Sequence, residues 1–339
     1  MNDAIAMSST IVCDELARLV ARERDEESHA RDDVRMSDGR ANARERPPAL
    51  ACALSEFDGY SYFLRELDAK ETNGVKTLEV SIAGARGAYD GERSAAAARA
   101  ACGTYGDVRA RARETYDLTV SVNVEAIAKI EDDEKRREVV ESIGRLRSAV
   151  YGSKLREHLR RLATTGEEGA LDWVPHRPGE TMFIKPQRDQ VTVVFPMRFA
   201  DAQDAVIANT FLAQFVEVRR GQSALSTAPA VAYHKTPPLE LKDAPAGTTN
   251  ALDANGGYVS FVLFKRHATP ERLEATVWNI MTFYAFISYH IKFSKAYWHS
   301  RMRQKVNAWL TILKRAKKID PNAAKKLTTA SGRTFVRTT

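Results

Sequence analysis

Cysteine is scarce in this chain of 339 residues: Cys13, Cys52 and Cys102 are the only three, and no two of them make a CxxC pair. That spacing implies neither a disulfide framework nor a zinc site. No apolar run approaches the roughly 18 residues that a membrane-spanning helix requires. The N-terminal stretch MNDAIAMSSTIVCDELARL lacks the basic start and the unbroken apolar core of a secretory signal, so a cytoplasmic protein is expected. Catalytic signatures are absent as well. The seven histidines are scattered and form no HExxH, and there is no P-loop and no GxSxG. Gly84, Gly87 and Gly91 in GARGAYDG miss the spacing of a dinucleotide-binding turn. No enzyme, cofactor or bound metal is expected.

What is present is a globular composition, 44% hydrophobic and 28% charged, long enough for two domains and a sizeable core. The charge is unevenly spread. From Lys292 to Thr339 there are thirteen Lys/Arg against the single acid Asp320, a local balance of +12 in a chain of net charge +7. Everything before Lys292 therefore sums to −5. A mildly acidic body with a concentrated basic end marks a surface for an acidic partner: nucleic acid, an anionic membrane or an acidic protein.

Residues 21–46 are nearly all charged or small and have no apolar period, which predicts a solvated, disordered insertion in an N-terminal segment 1–48. Order is expected to begin near ALACALSEFDGYSYFLREL, where Asp58-Gly59 separates two β-prone runs. Alternation predicts strands in VKTLEVSIAGA and YDLTVSVNVEAI, with the Ala-rich GERSAAAARAAC between them as a helix. These make a first mixed domain over 49–132. A second, over 133–268, opens with a helix running from EDDEKRREVV to about Leu162. It continues with the hairpin TMFIKP/QVTVVFPMRF, an amphipathic helix ending at Gly221, and the strands PAVAYHKTPPLEL and GGYVSFVLFKRH. TPPLELKD reads as an edge strand stiffened by proline. The fold class is α/β in the α+β sense: two tandem domains with antiparallel sheets and packed helices. Their similar element order is consistent with a duplication.

Thr269-Pro270-Glu271 is a helix start, with an N-cap hydroxyl, Pro in the first turn and an early acid. Nothing breaks the helix before Pro321, so it should occupy 269–319, about 70 Å at about 1.5 Å per residue, with a basic tail over 320–339. One apolar stripe recurs at Leu273, Val277, Ile280, Tyr284, Ile287, Ile291, Trp298, Met302, Trp309, Ile312 and Ala316. A second face, Phe286, Tyr289, Phe293 and Tyr297, exists only in the first half and should be covered. A domain of this size is roughly 30–35 Å across and covers about half of such a helix. The rest would carry its stripe into water, and that calls for a partner chain. The basic half has three readings: a solvated face, a nucleic-acid surface, or docking against an acidic protein. Composition does not separate the last two. His290 and His299 read as satisfied surface or interface residues.

Several segments follow one another in a recognisable order: ETMFIKPQRDQVTVVFPMRF, DAVIANTFLAQFVEVRRG, APAVAYHKTPPLELKDAP, GGYVSFVLFKRH, YHIKFSKAYWHSRMR and SGRTFVR. Together they resemble the family of subunit 2 of the actin-related protein 2/3 (Arp2/3) complex, specifically so from about Glu180 onward. PPLELKD and the YHIK–SKAY–H–RMR run are the most diagnostic parts. The charged 21–46 and the Ala-rich 93–101 depart from the family pattern. The resemblance implies a non-catalytic scaffold of a hetero-oligomer in cytoplasmic actin networks. Its long helix would lie antiparallel to that of subunit 4, the two actin-related proteins would assemble on the pair, and the same two subunits would contact the mother filament as a branch is nucleated. By matching positions it implies a filament-facing set of Arg219, Arg220, Lys292, Lys295, Arg301, Arg303 and Lys305. Lys295 and Lys305 also fall close to the apolar stripe. Trp298, Met302, Trp309 and Ile312 are the candidates for the helix–helix interface. Neither nucleic-acid binding nor membrane insertion is expected on this reading. The alternative is an adaptor that binds RNA or anionic membranes through the same basic helix.

Overall fold

Alternating apolar residues build two antiparallel five-stranded sheets, and the two share one topology. The computed structural model describes residues 7–33, 50–67, 71–72, 74–177, 179–244, 255–315, 326–328 and 334–336. Helix α1 (Met7–Asp33) precedes the strands β1 (Ala51–Ser55), β2 (Ser61–Leu67) and β3 (Thr77–Ala83). Helix α2 (Gly91–Cys102), β4 (Gly106–Ala110) and β5 (Leu118–Asn123) complete the first sheet, in the order β1-β2-β3-β5-β4. Helices α3 (Val124–Ala128), α4 (Asp133–Gly144), α5 (Leu146–Tyr151) and α6 (Ser153–Thr164) follow. The second sheet has β6 (Asp172–Arg177), β7 (Glu180–Pro186), β8 (Gln190–Arg198), helix α7 (Ala202–Gly221), β9 (Ala230–His234) and β10 (Gly256–Phe264). Its order, β6-β7-β8-β10-β9, repeats that of the first sheet: a three-strand meander, a helix, then two strands whose second inserts beside the third. Helix α8 (Pro270–Arg315) runs on from there.

The chain divides into two units, Met1–Lys292 and Phe293–Thr339, and α8 passes from one to the other without a break. In the first unit one apolar cluster takes in Val80 and Val122 of the first sheet, Val193 and Phe261 of the second, and Val277 and Ile287 of α8. A smaller cluster, Leu171, Phe183, Val194, Leu241 and Tyr258, packs separately around the second sheet. In the second unit, a short antiparallel pair, β11 (Lys326–Thr328) and β12 (Thr334–Val336), follows α8.

Four local expectations are corrected. Over 21–33 the charged segment is not disordered but continues α1, and 34–46 lies outside the described residues. Val12, Leu16, Leu19 and Val20 bury one face of α1. Two of the acids that gave the sequence its disordered look are partnered: Glu23 lies 2.5 Å from Lys76, which also pairs with Glu26. The helix expected from 133 to 162 is three helices. A Cβ on Gly144 would fall 2.1 Å from Cys13 Sγ of α1, and one on Gly152 would fall 2.7 Å from Val277 Cγ1 of α8. Glycine at both points lets neighbouring helices close in. Strands β4 and β6 had no clear alternation in GDVRA and DWVPHR; β6 is an edge strand whose register shifts at Pro175/Arg177. Finally, PPLEL is no strand. β9 ends at His234, and Leu239–Leu241 form a 3₁₀ turn that buries Leu241 and leaves Leu239 exposed.

The two sheets, the central helices and α8 meet at one buried cation. Arg147 of α5 is fully buried and pairs with Glu56 and Asp58 of the β1–β2 turn. It donates to the Met281 carbonyl of α8 at 2.6 Å and lies 3.9 Å over the Tyr60 ring. Beside it His176 of β6 is enclosed by Tyr60, Phe195 and Tyr284. Neither of its ring nitrogens has a hydrogen-bond partner among the described residues. Burial pushes the His176 pKa down from 6.5 to about 4.

Two predictions follow from this centre. Arg147→Met leaves Glu56 and Asp58 buried without their counter-ion and should lower unfolding stability by about 3–5 kcal/mol, read by denaturant titration of the full chain. The unfolded chain protonates His176 near 6.5 and the folded chain only near 4. Stability is therefore lost as pH falls through that window, by about 3 kcal/mol in all. His176→Phe should remove that contribution, flattening the decline between pH 6.5 and 4; an unchanged acid branch would show that another group carries it.

Candidate interaction surface

The two halves of α8 share a periodicity and differ in burial. In the first half Leu273, Val277, Ile280, Tyr284, Ile287 and Ile291 are all buried, as the stripe requires. From Ala296 to Arg315 every residue is exposed. Trp298 is 57% exposed, Met302 61%, Trp309 62% and Ile312 52%. Val306, Leu310 and Leu313 are exposed to a similar degree. The sequence reading did not place Val306 and Leu310 in the stripe; the i, i+4 steps 302–306–310 were the signal for them.

With about 100° per residue, Ile312, Trp298, Trp309, Met302, Leu313, Val306 and Leu310 span a continuous arc of about 160°. Lys305 falls inside this arc, between Ile312 and Trp298, and Lys295 falls level with Leu313. Arg301 lies about 20° beyond one edge and Arg303 about 20° beyond the other. This unit is thus an apolar face bracketed by arginines, and its basic residues do not share one side. The second apolar face of α8 is only partly covered: Phe286 and Tyr289 are half-buried, whereas Phe293 and Tyr297 are mostly exposed. His290 stacks on Phe211 of α7 at 5.8 Å and meets Phe286 edge-on.

The remaining basic candidates lie around α7, at its two ends. Lys292 pairs with Asp204, a nearly buried acid in the first turn of α7. Arg219 and Arg220 occupy the last turn, about 22 Å away along the helix axis. They are adjacent in sequence but different in role. Arg219 is half-buried, and its guanidinium donates to the carbonyls of Ser226 (3.0 Å), Ala228 (2.7 Å) and Pro229 (3.0 Å). Arg220 is exposed. Arg219 and Lys292 are therefore engaged within the fold, while Arg220, Arg301 and Arg303 present their charge outward.

Among the described residues, no group of three His, Cys, Asp or Glu could hold a metal ion, and no helix is long and apolar enough to cross a membrane. Fold and surface define a class: an α+β protein of two sheets with one strand order that displays an amphipathic, arginine-edged helix. Residues 93–320 match the family model described as "Arp2/3 complex, 34 kD subunit p34-Arc", and the chain belongs to that family. It is 41% identical over 211 residues to Arabidopsis thaliana actin-related protein 2/3 complex subunit 2A, covering 61% of this chain and 63% of that protein. It is 34% identical over 202 residues to subunit 2B of the same plant, covering 58% and 52%. The matched region thus spans between about half and two-thirds of the length of these curated relatives.

Neighbouring arginines of unlike role give a direct test. Arg219→Glu should cost about 1–3 kcal/mol of folding stability, because three carbonyls lose their donor. Arg220→Glu should leave the unfolding midpoint where it is. Equal midpoints for the two variants would mean the Arg219 hydrogen bonds contribute nothing.

Proposed function

We propose that this chain is a non-catalytic subunit of an Arp2/3 complex. It docks through the exposed arc of α8 onto a helix of a sister subunit, and turns its outward arginines to an actin filament. The observation that carries this reading is the continuous face of seven large apolar side chains, each more than half exposed. A monomer in water does not keep so long an apolar stripe open without association. Two tryptophans near the middle of the face have the character of interface anchors. The named relatives are themselves subunits of an actin-related protein 2/3 complex, which makes another subunit of that assembly the natural occupant. Subunit 4 and the two actin-related proteins are the expected neighbours, in a hetero-oligomer of the cytoplasmic actin cytoskeleton.

The filament contact rests on charge. Between Lys292 and Arg315 there are seven Lys/Arg and no acid, and a surface of that sign is steered toward an acidic protein lattice. Arg220, Arg301 and Arg303 are the residues best placed for it. Arg219 and Lys292 enter only through what they hold in place.

The two contacts separate by mutation. Trp309→Asp with Ile312→Asp should leave the unfolding midpoint of the chain unchanged, since neither side chain is in the core, yet abolish co-purification of other complex subunits. Recovery of the same partners would reject α8 as the docking face. Arg220→Glu, Arg301→Glu and Arg303→Glu together should preserve co-purification and weaken co-sedimentation with actin filaments at least several-fold at low salt. The difference from the parent chain should narrow as ionic strength rises. Undiminished co-sedimentation would remove these residues from the filament contact.

A further inference from the structure

The segment joining α7 to β9 is held by its own backbone carbonyls. Four consecutive carbonyls are captured by two side chains. Arg219 takes those of Ser226, Ala228 and Pro229, and His267 takes that of Thr227 at 2.8 Å. The Phe264 N–H donates to His267 Nδ1 at 2.9 Å, so the ring proton sits on Nε2 and is the one given to Thr227. Burial above all, with the charges of Arg266, Arg272 and Arg219 adding to it, holds His267 below its ordinary pKa against the pull of the Thr227 bond. The ring is thus kept in the neutral form that satisfies both contacts.

The clamp props open a cleft of about 400 Å³ between α7 and this segment. Phe211, Phe215 and Val218 line one wall, Leu225 and Pro229 the other, and Phe261 the floor. The floor is rigid: Phe261 meets Phe195 and Phe283 edge-on, and Phe283 also meets Phe215. Arg219 stands at the edge of the cleft, and its Nη1 makes no hydrogen bond among the described residues, since the carbonyls take Nε and Nη2. Exposed Arg220 is its neighbour. The nearest acid along α7, Glu217, is already engaged by Gln214 at 3.0 Å. An apolar chamber of this volume, built in advance and carrying one spare guanidinium edge, has the anatomy of a small-molecule site.

We propose that this cleft binds a small amphiphile with an apolar body and an anionic head, of the class of a medium-chain carboxylate. The body lies on Phe211, Phe215 and Phe261, and the head meets Arg219 Nη1. Charge complementarity selects this occupant over a neutral one: the guanidinium edge is unspent and no free carboxylate lines the chamber. The proposal does not depend on membership of a complex, because every wall residue belongs to this chain.

Decanoate is the probe, titrated into the full chain below its micellar range by calorimetry, with decanol as its neutral counterpart. Val218→Trp fills the mouth from an exposed position and so should not disturb folding, while Trp309→Ala removes an apolar side chain from the unrelated α8 face. The expected result is saturable binding at one decanoate per chain, at least tenfold weaker for decanol and for the Val218→Trp chain, and unchanged by Trp309→Ala. Three results would each overturn it: no saturable binding, decanol binding as tightly as decanoate, or binding lost with Trp309→Ala and kept with Val218→Trp.

Discussion

The buried guanidinium of Arg147 is the contact on which the rest of the arrangement turns. It joins three pieces of chain that share no secondary structure: the β1–β2 turn through Glu56 and Asp58, its own helix α5, and the middle of α8 through the Met281 carbonyl. Burial by itself would lower its pKa, but the two carboxylates outweigh that and hold it above the ordinary arginine value. A buried ion pair adds little net stability over a well-packed apolar substitute. What it adds here is direction. A slip of α8 by one turn, about 5.4 Å, would keep its apolar stripe on the core side while moving Val277 off Gly152. A charge-assisted hydrogen bond to one carbonyl does not tolerate it. Fixing Met281 fixes how much of α8 the core takes, namely as far as Ile291, and therefore which residues are left outside.

This constraint links the fold to the surface. Ile287 and Ile291 are buried where Trp298, Met302 and Trp309 are open, although all five belong to one stripe. Periodicity alone shows that the stripe exists; the extent of the sheets decides where it stops being core. The sequence could be read that far because length is additive: a helix of this size outruns any single domain built by the same chain. The two-sheet architecture was likewise legible, since β2, β3, β5, β7, β8 and β10 alternate or run apolar. Strands β4 and β6 were not. GDVRA and DWVPHR have too few apolar residues to show a period, and they pair because β5 and β7 offer them an edge. Helix α1 was missed for the opposite reason. Its acids suggested solvent, and their partner, Lys76, lies about fifty residues further along the chain.

The surface residues show the same divide. That Trp298, Met302, Trp309 and Ile312 lie outside the core was legible, because a helix longer than its domain carries its apolar stripe beyond it. The basic residues were not, because charge in a sequence says nothing about what already neutralises it. Arg219 and Arg220 are neighbours in the chain, yet one rotation of about 100° turns the first toward three carbonyls and leaves the second in water. Lys292 sits in the most basic part of the chain, and Asp204, which holds it, comes from a helix that begins almost ninety residues earlier. Sequence identifies the stretch that is basic, and tertiary contact identifies which of its charges are unspent.

Placement of the charges on α8 also discriminates between partners. Arg301 and Arg303 stand on opposite edges of the apolar arc, about 160° apart, so one narrow anionic groove does not hold both. A helix laid along the arc passes between them and leaves a guanidinium free along each flank. Lys305, inside the arc, fits the same picture: its aliphatic stem can lie along the neighbouring indole surfaces while the ammonium reaches the rim. A phosphate backbone would instead be served by a continuous basic stripe, and the exposed half of α8 interrupts any such stripe with Met302, Val306 and Leu310. The arrangement therefore favours a helical protein partner for the arc itself, and leaves the arginines at its edges to reach whatever acidic surface lies beyond that partner.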